Sequence, residues 1–447
     1  MLRALDRDPR GSVRSEATEC QSEPPSVHRA CLPRLSGQRN PTTLPHDAWG
    51  HNCHTACLLP RVSSPCAADS RVRDMRILYI INAVNYGGAE KQLHERAAAL
   101  ARRDHSVGVI SMMPFVHFED SLRAAGVQTF TLGLKGRSTL AHAVLAYTRV
   151  LREFKPDVVH SHLFWSSMFA RVLRVVRPIV RGPRAVLVCS SHSRAESSRT
   201  RYLAYRLTNR LGDAWTSVSR EGIAVHEAAG AVPAGFARWT PNGIDLSRYA
   251  PDATAREAVR AELDVGKRFM WLALGSFHTD TKDYATMLRA VAQQPGSSVL
   301  LIGGEGALLE ERRALAASLG LVNRVRFLGL RSDVERLFQA ADAYVLSSQT
   351  EGMPNVLLQA AASGLPIVTT NVGEASAIVQ DGRGGFVVEP RNPERLAEAM
   401  TRVEQMDDLT RRQFGDAART HVAQHFDFAR VVDRWEALYR ELLAAKG

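Results

Sequence analysis

The stretch Ser347-Ser348-Gln349-Thr350-Glu351-Gly352-Met353-Pro354-Asn355-Val356-Leu357-Leu358-Gln359-Ala360 lies between two apolar runs, Ala343-Tyr344-Val345-Leu346 and Leu365-Pro366-Ile367-Val368. The pattern reads strand, polar loop, helix, strand. An acid at the end of such a loop projects over the carboxyl edge of a parallel sheet, where open α/β folds bind their ligands. The same loop presents backbone N–H groups at a helix start, which suits a phosphate. An acidic side chain beside an anion-binding helix end is equipment for holding a sugar nucleotide.

Working outward, the alternation repeats in both directions. Toward the N-terminus, strand-like runs are Arg76–Ile81, Val107–Ile110, Thr129–Leu132, Asp157–His160 and Ala185–Val188. Helical patterns separate them, at Lys91–Arg103, Leu140–Phe154 and Ser166–Val176. A second set comprises Met270–Leu274, Val299–Ile302, Val325–Leu328, Ala343–Leu346 and Pro366–Thr369, with helices at Tyr284–Ala292 and Leu308–Leu319. Alternation of this kind predicts parallel sheets covered on both faces. The turn Pro241-Asn242-Gly243-Ile244-Asp245 stands between the sets and marks a hinge. The fold class is therefore α/β, with two Rossmann-like doubly wound domains facing a cleft. The expected division is 75–245, 246–427, and a last helix over 428–447 that packs back across the domains. That helix places Val431, Trp435, Leu438 and Leu442 on one stripe.

Residues 1–74 are rich in Pro, Ser and Arg and lack sustained apolar periodicity. They read as disordered, or as an overcalled start ahead of Met75. Five of the six cysteines lie there, and only Cys189 lies in the body, which fits a reducing compartment. His51, Cys53, His54 and Cys57 lack a standard zinc spacing. The chain of 447 residues carries a net charge of +11. That excess favours an anionic partner, either the phosphates of a small ligand or an anionic membrane surface. No zinc-finger, basic-zipper or RNA-recognition motif supports nucleic acid instead. No apolar run reaches the roughly 18 residues of a membrane-spanning helix.

Three motifs together, Gly87-Gly88-Ala89-Glu90 after the first strand, Pro241-Asn242-Gly243-Ile244-Asp245, and Glu351-Gly352-Met353-Pro354, resemble the retaining GT-B glycosyltransferases of the GT4 family. The resemblance covers about residues 75–445. It implies transfer of a sugar from a nucleotide-diphosphate donor, with the anomeric configuration kept and no metal or other cofactor. The only Asp-x-Asp is Asp6-Arg7-Asp8, so the body lacks that metal-binding pattern.

The candidate site residues follow. Lys282 is either a cation for the diphosphate or a solvated lysine at a helix start. The family's Gly-Arg pair is here Gly275-Ser276, so Arg331 or an Arg of the first domain is needed to complete a two-cation clamp. Glu351 would accept hydrogen bonds from sugar hydroxyls, and as a helix-start acid it also complements the macrodipole. Gly352, Met353, Pro354, Asn355 and Val356 would form the donor loop. The family's second Glu, which holds the ribose, is here Gln359, an amide that still donates and accepts. Leu330 and Arg331 end Phe327-Leu328-Gly329-Leu330-Arg331, whose backbone would edge the base. Gly303-Gly304-Glu305-Gly306 reads equally as a plain turn or a phosphate loop. Gly87 and Gly88 would face the phosphates or acceptor, or simply start a helix. His192 matches a family histidine facing the donor sugar, though His160 and His162 sit near another strand end. These assignments make Glu351, Lys282 and His192 the candidates for chemistry.

The expected function is a metal-independent retaining hexosyltransferase acting on a glycan or lipid-linked acceptor. Its setting would be cell-surface polysaccharide or lipopolysaccharide synthesis, in the cytoplasm or peripherally on the inner membrane. The basic and apolar segment Phe169–Arg177 is either a lipid contact or a sheet-covering helix. Two rivals remain: a catalytically weak paralogue that acts as a binding partner, and a sugar-nucleotide epimerase.

Overall fold

The computed structural model describes residues 74–84, 87–180, 184–296 and 298–446, except for the side chains of 137 and 176–180. The expectation for the N-terminal segment, with Asp6, Asp8 and the His51–Cys57 group, falls outside the described residues.

Two all-parallel sheets form the frame. The first has seven strands: β1 (Arg76–Ile81), β2 (Ser106–Ser111), β3 (Gln128–Thr131), β4 (Val158–His162), β5 (Val186–Ser191), β6 (Ala214–Ser217) and β7 (Ala237–Trp239). Their spatial order is β3-β2-β1-β4-β5-β6-β7. The second has six: β8 (Met270–Leu274), β9 (Val299–Gly303), β10 (Val325–Gly329), β11 (Ala343–Leu346), β12 (Ile367–Thr370) and β13 (Gly385–Val388), in the order β10-β9-β8-β11-β12-β13. Both orders reverse direction once, beside β1 and beside β8. Crevices at such switch points take ligands at the carboxyl ends of the strands. Sequence periodicity missed β6, β7 and β13, which are short.

The buried strands alternate between two cores, as a period of two requires. Ile77, Tyr79 and Ile81 join one cluster, while Leu78 and Ile80 join the other. In the second sheet Met270, Leu272 and Leu274 oppose Trp271 and Ala273. Removing a side chain of this size from water contributes about 2 kcal/mol, so a one-residue slip in any central strand would be costly.

The last helix, Phe428–Ala444, leaves the second sheet and covers the first. Its Val431, Val432, Trp435, Leu438 and Tyr439 complete the core around Tyr79 and Ile81. The two chain crossings between the sheets are tied together. Ile244 N–H donates to Phe426 O (2.9 Å) and Phe428 N–H donates to Ile244 O (3.1 Å). A Cβ on Gly243 would lie 2.9 Å from the Phe428 Cα, so the close pairing of the crossings needs glycine there.

Candidate functional site

The loop after β8 positions the first cation. Lys282 closes a single 3₁₀ turn, Asp280–Lys282. Asp283 follows in the left-handed region at φ 48° and accepts from Thr286 N–H (3.1 Å), capping the helix Tyr284–Gln293. The chain doubles back, and the Lys282 side chain crosses over Gly275. A Cβ on Gly275 would lie 2.9 Å from Lys282 Cε, and Tyr284 OH donates to Gly275 O (2.9 Å). Glycine at 275 therefore makes room for the lysine. Ser276 beside it is exposed.

The loop after β11 is fastened to that turn. Ser347 Oγ donates to the carbonyls of Lys282 (2.8 Å) and Asp283 (2.9 Å), and Gln349 N–H donates to Thr281 O (2.8 Å). These bonds bring Lys282 Nζ to 2.6 Å from Glu351 Oε1. Ser348 Oγ donates to the same oxygen (2.7 Å). Glu351 sits in the loop ahead of the helix Asn355–Ala362, which Pro354 precedes. Gly352, Met353 and Pro354 are buried, and Val356 packs against the core.

The first sheet supplies the opposite wall. His192 lies one residue past β5, and its carbonyl oxygen rests against Gly352 so closely that any Cβ there would collide with it. The His192 ring is half-buried, and its Nε2 lies 2.8 Å from His162 Nδ1. Burial, then the charge of Arg96, pull the pKa of His192 down to about 3. His192, Lys282 and Glu351 thus meet around one junction between the sheets.

Other candidates hold the junction. Asn355 Oδ1 accepts from Asn242 Nδ2 (2.8 Å), and Asn355 Nδ2 donates to Gly88 O (3.2 Å). Asn242 N–H points at Met353 Sδ (3.1 Å). Gln359 is buried and donates through Nε2 to Tyr249 OH (2.8 Å), which also accepts from Lys91 Nζ (3.2 Å). Asn355 and Gln359 share the helix face that lines a small cavity with Lys91, Glu95 and Tyr249. Gly88 does admit a close neighbour, the Asn355 side chain. A Cβ on Gly87 would strike the Glu90 carboxylate, whose pKa burial raises.

Arg331 is occupied. Its guanidinium donates to both carboxylate oxygens of Asp333 (2.7 Å each) and to Glu262 (2.9 Å), which raises its pKa. Leu330 is exposed at the end of β10. In Gly303-Gly304-Glu305-Gly306, a Cβ on Gly304 would collide with Gly275 O, and one on Gly306 with the backbone of Phe277 and His278. This loop thus packs against the Lys282 loop. Among the described residues, no three of His, Cys, Asp and Glu cluster as metal ligands would.

Sequence reasoning missed an interdomain latch. Glu374, almost fully buried, accepts from Arg220 N–H (2.5 Å) and Arg220 Nη1 (3.2 Å). Its own N–H donates to Gly352 O (3.0 Å), and Arg220 stacks over Trp239 at 3.4 Å. The turn Val372-Gly373-Glu374 after β12 was the available signal, since Gly373 must admit the backbone of Glu351 and Gly352.

Comparison with known proteins agrees with this fold. The family model described as Glycosyl transferases group 1 matches residues 268–405, and that described as Glycosyltransferase Family 4 matches 86–248. The chain is 23% identical over 342 residues to a UDP-Gal:alpha-D-GlcNAc-diphosphoundecaprenol alpha-1,3-galactosyltransferase of Escherichia coli, covering 74% of this chain and 87% of that one. It is 26% identical over 384 residues to a D-inositol 3-phosphate glycosyltransferase of Corynebacterium diphtheriae, covering 79% and 89%. Its fold resembles that of HepE from Anabaena, solved in complex with UDP-glucose, with a TM-score of 0.72, 23% identity, and coverage of 83% and 100%. The protein belongs to the group 1, or GT4, glycosyltransferases and has the GT-B fold.

Proposed function

We infer that this glycosyltransferase is a retaining enzyme that moves a sugar from a nucleotide-diphosphate donor to a glycan or lipid-linked acceptor. The carrying observation is the contact between Lys282 Nζ and Glu351 Oε1, at 2.6 Å, opposite His192 of the other sheet. A lysine held this way trades its carboxylate partner for an incoming phosphate oxygen. Glu351 is then released to accept hydrogen bonds from sugar hydroxyls and to stabilise positive charge at the anomeric carbon. With the leaving diphosphate neutralised by Lys282 and the amides at the start of the helix Asn355–Ala362, its oxygen takes the acceptor's proton on the face from which it departs. In this reading transfer needs no metal or cofactor. The nucleotide sugar is a co-substrate.

We assign 75–245 to the acceptor side and 246–427 to the donor side, with 428–447 returning to the first. The crossing pair Ile244 and Asp427 supports that boundary. UDP-hexoses are the first donors to test, since the E. coli relative is named for UDP-galactose and HepE was solved with UDP-glucose.

A role in cell-surface glycan synthesis at the cytoplasmic face of the inner membrane is supported by an exposed apolar and basic surface. Among the described residues no helix is long and apolar enough to cross a membrane. Within Phe169–Arg177, Arg171 is buried and donates through Nη1 to Thr208, while Arg174 pairs with Asp213; Val172 and Val175 face outward. The basic part of the surface lies on the neighbouring helix Arg199–Thr208, where Arg199, Leu203, Arg206 and Leu207 are exposed.

The test is a panel of nucleotide sugars with purified protein, read by nucleotide release with and without acceptor, and by the anomeric configuration of the product. Turnover with retention supports the reading. No binding and no turnover across the panel would overturn it. Slow donor hydrolysis abolished by Glu351→Ala rejects the rival of a non-catalytic binding partner, which Ser276 and Gln359 motivate. Epimerised donor without nucleotide release would favour an epimerase.

A further inference from the structure

Arg96 is a guanidinium buried in the first domain, with no carboxylate partner among the described residues. It lies between two aromatic faces, 4.4 Å from the Trp435 ring and 5.4 Å from that of Tyr79. Its Nε has no hydrogen-bond partner, and its Nη2 lies 3.1 Å from His162 Nε2. A permanently charged side chain covered by apolar rings is costly, and a catalytically idle position would not retain one easily. The contact it makes has a consequence for hydrogen placement.

A guanidinium N–H can only donate. His162 Nε2 must therefore accept and cannot carry a proton. If His162 Nδ1 were bare as well, the ring would be an imidazolate, which aqueous pH does not produce. The single proton of His162 is on Nδ1, and Nδ1 lies 2.8 Å from His192 Nε2. That N–H donates, so His192 Nε2 accepts. His192 is then protonated on Nδ1, a nitrogen with no partner among the described residues, on a ring that is only partly buried. The Arg96 guanidinium, whose protonation never changes, sets both tautomers.

We propose that Arg96 and His162 are positioning residues that lock His192 as the Nδ1–H tautomer, so that it presents a hydrogen-bond donor to an oxygen of the bound donor sugar. The oxygen as recipient rests on the proposed function; the tautomer does not. His192 in this state cannot serve as a base through Nε2, whose lone pair is engaged. The surroundings reinforce the lock. The His160 ring lies 4.2 Å from that of His162, His160 Nδ1 is 2.7 Å from Tyr439 OH, and its Nε2 is 2.6 Å from Ser190 Oγ. Trp435 and Tyr439 come from the last helix, so that helix closes over the relay it helps to orient. Burial and the Arg96 charge keep His160 and His162 neutral, which the relay requires.

The experiment is long-range ¹H–¹⁵N correlation on ligand-free protein labelled at histidine with ¹⁵N, with His192 assigned by its loss in His192→Asn. The expected spectrum shows His192 protonated at Nδ1 and bare at Nε2 between pH 6 and 8. His162→Phe keeps the ring stacking and removes the relay, so His192 should become a tautomer mixture. His162→Gln can accept from Arg96 and donate to His192, so it should restore the Nδ1–H form. In transfer assays His162→Phe and Arg96→Met should lower kcat roughly tenfold, with donor KM within about twofold, and His162→Gln should recover most of it. A wild-type His192 protonated on Nε2 would overturn the proposal, as would an unchanged tautomer or unchanged kcat in His162→Phe. The wild-type spectrum needs neither a variant that folds nor an active assay. A failed donor panel would therefore indict the proposed function and leave the tautomer to be decided by the spectrum.

Discussion

The carbonyl oxygen of His192 rests directly against the α-carbon of Gly352, so the loop ahead of the helix Asn355–Ala362 of one sheet touches the strand end of the other with no side chain between them. The two atoms that a Cβ at 352 would strike, the carbonyl O and C of His192, are backbone, and backbone cannot swing aside as a flexible side chain can. Gly352→Ala should therefore prise the two walls apart, while the loop itself remains folded within the second domain. We expect kcat/KM for transfer to fall by about 100-fold, with the melting temperature lowered by only a few degrees. Steady-state kinetics beside a thermal melt checks this. Wild-type kinetics in the alanine variant would show that the contact does not belong to the working state.

Lys282 and Glu351 should fail differently. Lys282→Met keeps the aliphatic stem over Gly275 and removes the charge, so in the proposed mechanism the diphosphate loses its cation; kcat/KM should drop about 100-fold. Glu351→Gln leaves a hydrogen-bonding group of the same size beside Ser348 but no negative charge. Its loss, also about 100-fold, should fall mainly on kcat, because the charge matters most when the anomeric carbon is positive. Gly275→Ala pushes a methyl group toward Lys282 Cε, which is flexible, so a milder loss of about tenfold is expected. A Lys282→Met enzyme within twofold of wild type would remove the lysine from the mechanism.

The frame of this site was legible because its signals are local. A strand buried on both faces announces itself as an apolar run, and Met270–Leu274 and Ala343–Leu346 have the expected bounds. The glycines at 87, 88, 275 and 352 were legible as candidate site positions. What approaches them was not. Gly88 meets Asn355, Gly275 meets Lys282, and Gly352 meets His192, pairs separated by up to hundreds of residues. Arg331 illustrates the limit from the other side. An arginine after a strand reads as a phosphate cation, and only the structure shows that Asp333 and Glu262 hold its guanidinium. Glu374 and Arg96 were missed for the same reason. A buried charge is distinguished by its surroundings, and no spacing rule encodes a partner that arrives from a distant part of the chain.

The bond between Arg220 and Glu374 should govern closure. Glu374 binds both the backbone and the guanidinium of Arg220, and its own backbone is bonded to Gly352. Glu374→Ala removes both acceptors and frees the first domain from the loop that carries Gly352. The expected result is a more open protein, seen as a larger radius of gyration in solution scattering, with donor KM raised about tenfold. Glu374→Gln keeps one acceptor and should lie between. If Glu374→Ala scatters like wild type and binds donor equally well, the latch has no role in closure.

Acid should destabilise the protein earlier than its carboxylates alone would suggest. His160 and His162 have pKa values far below the ordinary 6.5, and His192 is lowered to about 3, in each case chiefly by burial. Above pH 6.5 these rings are neutral in both folded and unfolded chains, and they contribute no pH dependence. As pH falls below 6.5 the unfolded chain takes up protons that the folded chain refuses, so stability is lost progressively. Each such histidine contributes a slope of about 1.4 kcal/mol per pH unit in that range. Glu90 and Glu95 act in the opposite sense. Their pKa values are raised above 4.5 by burial, so folding favours their protonated forms as pH falls through those raised values. Asp213, Asp333 and Asp407 have lowered values and matter only below about 3.8. Between pH 6.5 and 5.5 the histidines should therefore dominate. Chemical denaturation at steps of half a pH unit should show stability falling across that window. His160→Gln, which can still bond Tyr439 and Ser190, should reduce the slope by about one histidine's share. A stability profile that is flat from pH 7 to 5 would mean the cluster accepts protons in the folded protein, and that it is not sealed by Trp435 and Tyr439.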